Sequence, residues 1–220
     1  FFKNKLENIL SLSFNLNNTL MYRPKNKNMF ISYKIDKSLF RNSFSWDKQL
    51  SERLIHNICL KINFVNFSTK TNLYYNENKI TNENLIYQNC QIRKNGLDFE
   101  FISNHKYLKP SILISYYQKE NISSVEKLDG FKIGSKFLFN SKSEYLLKTD
   151  LTFYHINYIG EINNSISYQM LDGLSAGNGL KWGATLTKKI NKLTFSLKYS
   201  GEVNAINDIH YAHIELKKYF

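Results

Sequence analysis

Between Asn178 and Phe220 apolar and polar residues alternate almost without a break. Leu180, Trp182, Ala184, Leu186 and Ile190 fall on one parity, with Lys181, Gly183, Thr185, Thr187 and Lys189 on the other. After a turn at Asn191-Lys192, Leu193, Phe195, Leu197 and Tyr199 alternate with Thr194, Ser196, Lys198 and Ser200. A third run sets Ala212, Ile214, Leu216 and Phe220 on one parity. A two-residue period belongs to β-strands with one apolar and one polar face. Three such runs in succession call for a sheet whose two faces meet different surroundings.

The same rhythm extends upstream. Leu6, Leu10, Leu12, Phe14, Leu16, Leu20 and Tyr22 hold one phase up to Pro24, longer than the five or six residues usual for a strand in an aqueous domain. Met29 to Ile35 carries the return strand. Phe40, Phe44 and Trp46 suggest a shorter one before a turn at Lys48 to Glu52. Leu54 to Phe64 and Phe67 to Tyr75 follow, and the polar stretch Asn76 to Asn84 reads as a surface connection. Asn95-Gly96 is a strong hairpin signal, dividing Leu85–Arg93 from Leu97–Ser103. Strands are expected at Ile112–Tyr116, Phe131–Phe139 and Ile166–Met170, and in the phase-mixed run Tyr145–Tyr158, where a bulge would explain the mixing.

This amounts to roughly fourteen strands, within the range of transmembrane barrels. The predicted fold is all-β: an antiparallel, up-and-down transmembrane β-barrel whose last strand ends in Phe220. Residues 1–220 read as a single domain. Because the chain begins in mid-pattern at Phe1-Phe2-Lys3, it is expected to be the C-terminal part of a longer protein.

Composition agrees with a barrel. No run approaches the ~20 apolar residues of a membrane helix, whereas a barrel strand needs only every second residue apolar. Phe and Tyr are abundant, at 16 and 15 residues, and both suit strands and membrane interfaces. The 2 prolines fit a chain of mostly paired backbone. Cys59 and Cys90 are read on opposite parities, so no disulfide is expected.

The formal charge of +12 raises nucleic acid as a partner. The lysines, however, are spread over the polar parity of many strands and over the turns, so nucleic acid is not expected. A cationic lumen that favours anions follows instead. Candidate lumen charges are Asp98 and Glu100, read as facing Arg93, together with Lys181, Lys189 and Lys198.

One segment carries a resemblance. Gln169-Met170-Leu171-Asp172-Gly173-Leu174-Ser175-Ala176-Gly177-Asn178-Gly179-Leu180-Lys181-Trp182 resembles a segment near the end of large Bacteroidota outer-membrane proteins. Tyr199-x-Gly201, His210 and Phe220 fall where that family places them, and Tyr22-Arg23-Pro24 resembles an early hairpin of the same barrels. The chain departs from the pattern at Gln169, usually Glu, and at Glu202, usually Arg. The resemblance implies an outer-membrane barrel closing a longer protein, and no defined activity. Physically, Gly173, Gly177 and Gly179 with Asn178 permit a tight connection between two strands, and Trp182 sits just inside the next one.

Catalytic constellations are incomplete. His155 and Asn157 share a strand face and partly resemble the His and Asn of outer-membrane phospholipases, but Phe153 and Asn157 occupy the places a serine would need. His210 and His213, three apart, point to opposite faces and do not form a metal clip. No enzyme, cofactor or metal site is expected.

The expected function is a passive pore for small polar or anionic solutes in the cell outer membrane. The alternative is a structural anchor or assembly domain of a larger surface protein. Outer-membrane lipid is one expected partner, and an N-terminal region of the same protein is another. The barrel-assembly machinery is a third, reading Ala212, Ile214, Leu216 and Phe220.

Overall fold

Among the described residues, eleven strands succeed one another and hydrogen-bond in that same order, every neighbouring pair antiparallel. The computed structural model describes residues 12–24, 28–43, 48–82, 89–105, 107–140, 145–162, 164–205 and 208–218. The strands are β1 (Leu12–Tyr22), β2 (Met29–Ser43), β3 (Lys48–Asn63), β4 (Phe67–Asn82), β5 (Cys90–Ser103) and β6 (Leu108–Asn121). They continue as β7 (Lys127–Asn140), β8 (Tyr145–Ile159), β9 (Gly177–Ile190), β10 (Leu193–Asn204) and β11 (Asp208–Lys218). One helix, the only one among the described residues, α1 (Ser165–Leu171), interrupts the meander between β8 and β9. Among the described residues β1 and β11 are the two edges, and the sheet does not close on itself.

Alternation and register together build two chemically different faces. On the outer face Phe99 stands across from Ile114, Ile114 from Ile133 and Ile133 from Phe153. The row continues through Phe153 opposite Leu180 and Leu180 opposite Val203. Leu186 faces Leu197, which faces Ile214. These large side chains are exposed, apart from the half-buried Leu180. Phe131 to Phe139 covers about 26 Å at ~3.3 Å per residue, near the height of a barrel's apolar band once the strand is tilted.

The inner face, on which α1 lies, carries the opposite parity: mostly Ser, Thr, Asn and Lys, with a buried apolar cluster at one end. That cluster consists of Cys90, Ile92, Tyr117, Leu128, Tyr154 and Ile156 from the sheet with Met170 and Leu171 from α1.

The fourteen expected strands become eleven for three local reasons. Met29–Ile35 and Phe40 belong to one strand, β2; Phe44 and Trp46 lie outside the described residues. Asn95-Gly96 is the middle of β5, not a hairpin. Gly96 is required there because the Tyr74 ring from β4 lies over it, where a Cβ would collide. Ile166–Met170 is helix rather than strand.

Two expected turns are also strand. Lys48 to Glu52 opens β3, and Asn76 to Asn82 closes β4. Past the apolar band both faces of a strand are polar, so the two-residue signal fades while the ladder continues. The bulge expected in Tyr145–Tyr158 is absent too: β8 keeps an unbroken register with β7 and β9. Its mixed phase arises because Tyr154, Ile156 and Tyr158 turn inward to meet α1 while Leu147, Leu151 and Phe153 face outward.

Cys90 lies on the same face as Cys59, contrary to its expected parity, and both thiols are free. Cys90 stands across from Ile80 and Ile80 from Ser51, which is roughly 26 Å along β3 from Cys59.

Candidate functional site: the inner face beneath helix α1

The segment 164–176 folds back over the inner face because the ends of its helix are stopped by specific residues. Asn164 caps the helix: its side chain accepts from the Ser167 backbone N–H at 2.6 Å, and Ser167 Oγ in turn accepts from the Asn164 N–H at 3.1 Å. Asp172 terminates it in the left-handed region with φ 55°, and Gly173 continues with φ 72°. Ser167, Met170 and Leu171 are buried, a helical spacing that places one face of the helix on the sheet. Met170 is fully buried.

Strand β6 supplies the cation that α1 lacks in its own last turn. Lys119, 5 % exposed, donates from Nζ to the carbonyls of Met170 at 2.7 Å and Gln169 at 3.1 Å. The same Nζ lies 2.6 Å from Asp172 Oδ1. A cation at these carbonyls satisfies orphan acceptors and opposes the negative end of the helix dipole. Lys94 on β5 stands directly across from Lys119, a like-charge pair that alone would be repulsive. Asp172 Oδ2 lies 3.2 Å from Lys94 Nζ and bridges the two. Burial pushes the Asp172 carboxyl up, but the Lys119 and Lys94 ammoniums outweigh it and hold it below its ordinary value.

Aromatic rings over glycines tighten this part of the sheet. Tyr74 lies over Gly96, Tyr117 over Gly130 and Tyr154 over Gly179, each on the next strand. The Tyr117 ring is flanked by Lys94 Nζ at 4.7 Å and Lys132 Nζ at 4.9 Å from its centroid. Tyr154 donates to Glu202 Oε1 at 2.7 Å, and Glu202 also pairs with Lys181 at 2.7 Å.

The register sorts the residues singled out in the sequence. Asp98, Glu100, Lys181, Lys189 and Lys198 have inner-face parity. Arg93 does not: it lies on the outer face near the α1-bearing rim, with Glu77 Oε2 at 3.6 Å and Glu120 Oε1 at 4.0 Å. With no hairpin at Asn95-Gly96, Arg93 and Asp98 lie on one strand an odd number of residues apart, and the pleat sends them to opposite sides.

The glycine-rich segment is not a strand-to-strand hairpin. Gly173 follows α1, whereas Gly177, Asn178, Gly179 and Trp182 are already in β9. Trp182 lies over Gly201 on the outer face, its ring edge-on to His210 at 5.5 Å. Ala212, Ile214 and Leu216 form the exposed outer row of β11; Phe220 lies outside the described residues. His155 also faces outward, with Nδ1 2.7 Å from Asn178 Oδ1. Among the described residues no group of His, Cys, Asp and Glu is arranged to hold a metal, and no helix is long and apolar enough to cross a membrane.

Sequence reasoning missed Lys94, Lys119, Tyr117 and Asp172. The available signal was the pair Asn164–Ser167 followed by Asp172-Gly173, start and stop marks that fit one short helix.

No protein-family model and no curated sequence matches the chain. Solved structures do. CdiB from Acinetobacter baumannii superposes with a TM-score of 0.56 at 14 % identity, over 94 % of this chain and 45 % of its own. The siderophore receptor PirA from Pseudomonas aeruginosa gives 0.54 at 8 % identity, over 86 % and 45 %. Outer-membrane OmpT of Vibrio cholerae gives 0.50 at 5 % identity, over 86 % and 85 %. The chain thus spans about half the length of CdiB and PirA. At these identities the likeness is one of fold: the chain has the antiparallel, up-and-down sheet of outer-membrane β-barrel proteins.

Proposed function

We propose that this chain forms part of the wall of a barrel in the cell outer membrane, with a hydrated cationic interior that passes small polar and anionic solutes and is narrowed by α1. One observation carries the reading. Every strand from β2 to β11 places a Lys or Arg on the inner face, while the outer face of the same strands bears a continuous apolar band. Backbone groups in lipid are satisfied by such ladders, and cations along a low-dielectric wall raise the local concentration of anions.

Reconstitution into planar bilayers tests it. Under a KCl gradient, the sign of the reversal potential should report preference for chloride. A second reading, an anchor or assembly domain without transport, draws on the apolar packing of α1 against β5 to β8; a folded protein giving no conductance steps would select it. The outer row of β11, together with Phe220, is proposed as the mark read by the barrel-assembly machinery. Deleting Phe220 is then expected to lower the membrane-inserted fraction, and unchanged insertion would refute that role.

A further inference from the structure

We propose that the cavity between α1 and the inner faces of β3 to β6 binds a small hydroxylated anion of the acidic-monosaccharide class. This deepens the pore reading, naming a solute class that the narrowed interior would hold. The cavity measures about 580 Å³, and its lining includes Arg53, Asn76, Lys94, Lys119, Tyr168 and Gln169. Such a volume falls within the ~300–1,000 Å³ of small-molecule sites and far exceeds an inorganic ion.

Charge and hydrogen-bonding capacity define what fits. Lys94 and Lys119 share the one carboxylate in the lining, Asp172. Arg53 pairs with no carboxylate among the described residues. Its planar fork matches a ligand carboxylate in two-point fashion. The register sets the other partners beside it. Arg53 stands across from Asn78, and on the same strand Asn76 stands across from Lys94, which faces Lys119. The Asn76 amide oxygen is buried, and no donor among the described residues meets it. A buried acceptor left so calls for a hydroxyl donor. Tyr168, largely exposed on α1, offers a flat apolar ring at the cavity wall. A cation, a buried amide acceptor and an aromatic face around one space are the complement of a sugar ring bearing a carboxylate.

Calorimetric titration of the full-length protein in detergent, at fixed ionic strength, uses D-galacturonate, D-galactose and inorganic phosphate as probes. Galacturonate is expected to bind saturably, and galactose at least about tenfold more weakly, for want of the charge-assisted bonds to Arg53. Arg53→Gln should lower galacturonate affinity by about tenfold or more, and Asn76→Ala by several-fold, with folded mobility in detergent unchanged. Absence of saturable binding, equal binding of the two sugars, phosphate bound as tightly as galacturonate, or unchanged affinity in both variants would overturn the proposal. Binding without conductance supports this site and overturns the pore reading; anion-selective conductance without binding overturns the site alone.

Discussion

Strands β6 and β11 are amphipathic in the same way, yet they stand in very different surroundings. On β6, Ser111, Ser115, Tyr117, Lys119 and Asn121 are buried on the inner face. On β11 no residue of either face is buried. What separates the Tyr117–Asn121 end of β6 from β11 is α1. It covers the sheet over β5 to β8, and the residues beneath it change character: Tyr154 and Ile156 are apolar on an inner parity that elsewhere is mostly polar, and Lys119 serves as a helix cap. A strand's alternation therefore specifies which face meets lipid, while the opposite face depends on what the rest of the chain lays over it.

The largest effect expected from breaking this contrast is at the helix itself. Met170→Ala removes a fully buried side chain and should weaken docking of α1 by about 2–5 kcal/mol. Amide hydrogen exchange should then rise in 165–172 and leave β11 unchanged. On the other side of the wall, Leu197 lies in the outer row between Leu186 and Ile214. Leu197→Lys should cost about 2–4 kcal/mol of folding stability in lipid vesicles, measured by urea titration, whereas Ser196→Lys on the inner face of the same strand should be close to neutral.

A smaller effect is expected at the ring-on-glycine contacts. Gly130→Ala puts a methyl where the Tyr117 ring lies and should cost about 1–3 kcal/mol by overpacking; the double change with Tyr117→Phe should not relieve it, because the ring itself occupies the space. Smallest is Asp172→Asn, about 1–2 kcal/mol once the half-exposure of that carboxylate is discounted. Its folded-state proton affinity is depressed, so the stabilisation it contributes is present above its ordinary value of 3.8 and is lost as pH falls through the lower folded value. Exchange protection of α1 should accordingly decline below about pH 4 in the native protein and be flatter over that window in Asp172→Asn.

Much of the outer face was legible from alternation alone, because lipid imposes a single requirement on every second residue. Leu193 to Tyr199 and Phe131 to Phe139 are read the same way in sequence and structure. The inner face was not, for two physical reasons. Apolar residues on both parities of β8 look like a phase slip when they are two interfaces, one facing outward and one beneath α1. Gly96 looks like a turn when its missing Cβ serves a tyrosine that stands directly across from it on β4 and far away in sequence. Long-range packing sets both features, and local propensity does not contain it. The charges Asp98 and Glu100 were placed with Arg93 for the same reason: a false hairpin folds the strand back, whereas the true strand sends them to opposite sides.

The central claim is that one parity of these strands meets water and the other meets lipid. Single cysteines at Phe195, Ser196, Leu197 and Lys198, in a Cys59→Ser, Cys90→Ser background reconstituted in vesicles, address it directly. A water-soluble maleimide should label positions 196 and 198 and leave 195 and 197 unreacted, the latter pair reacting only with a lipid-soluble reagent. Equal labelling of all four positions, or labelling of the odd pair alone, would contradict it.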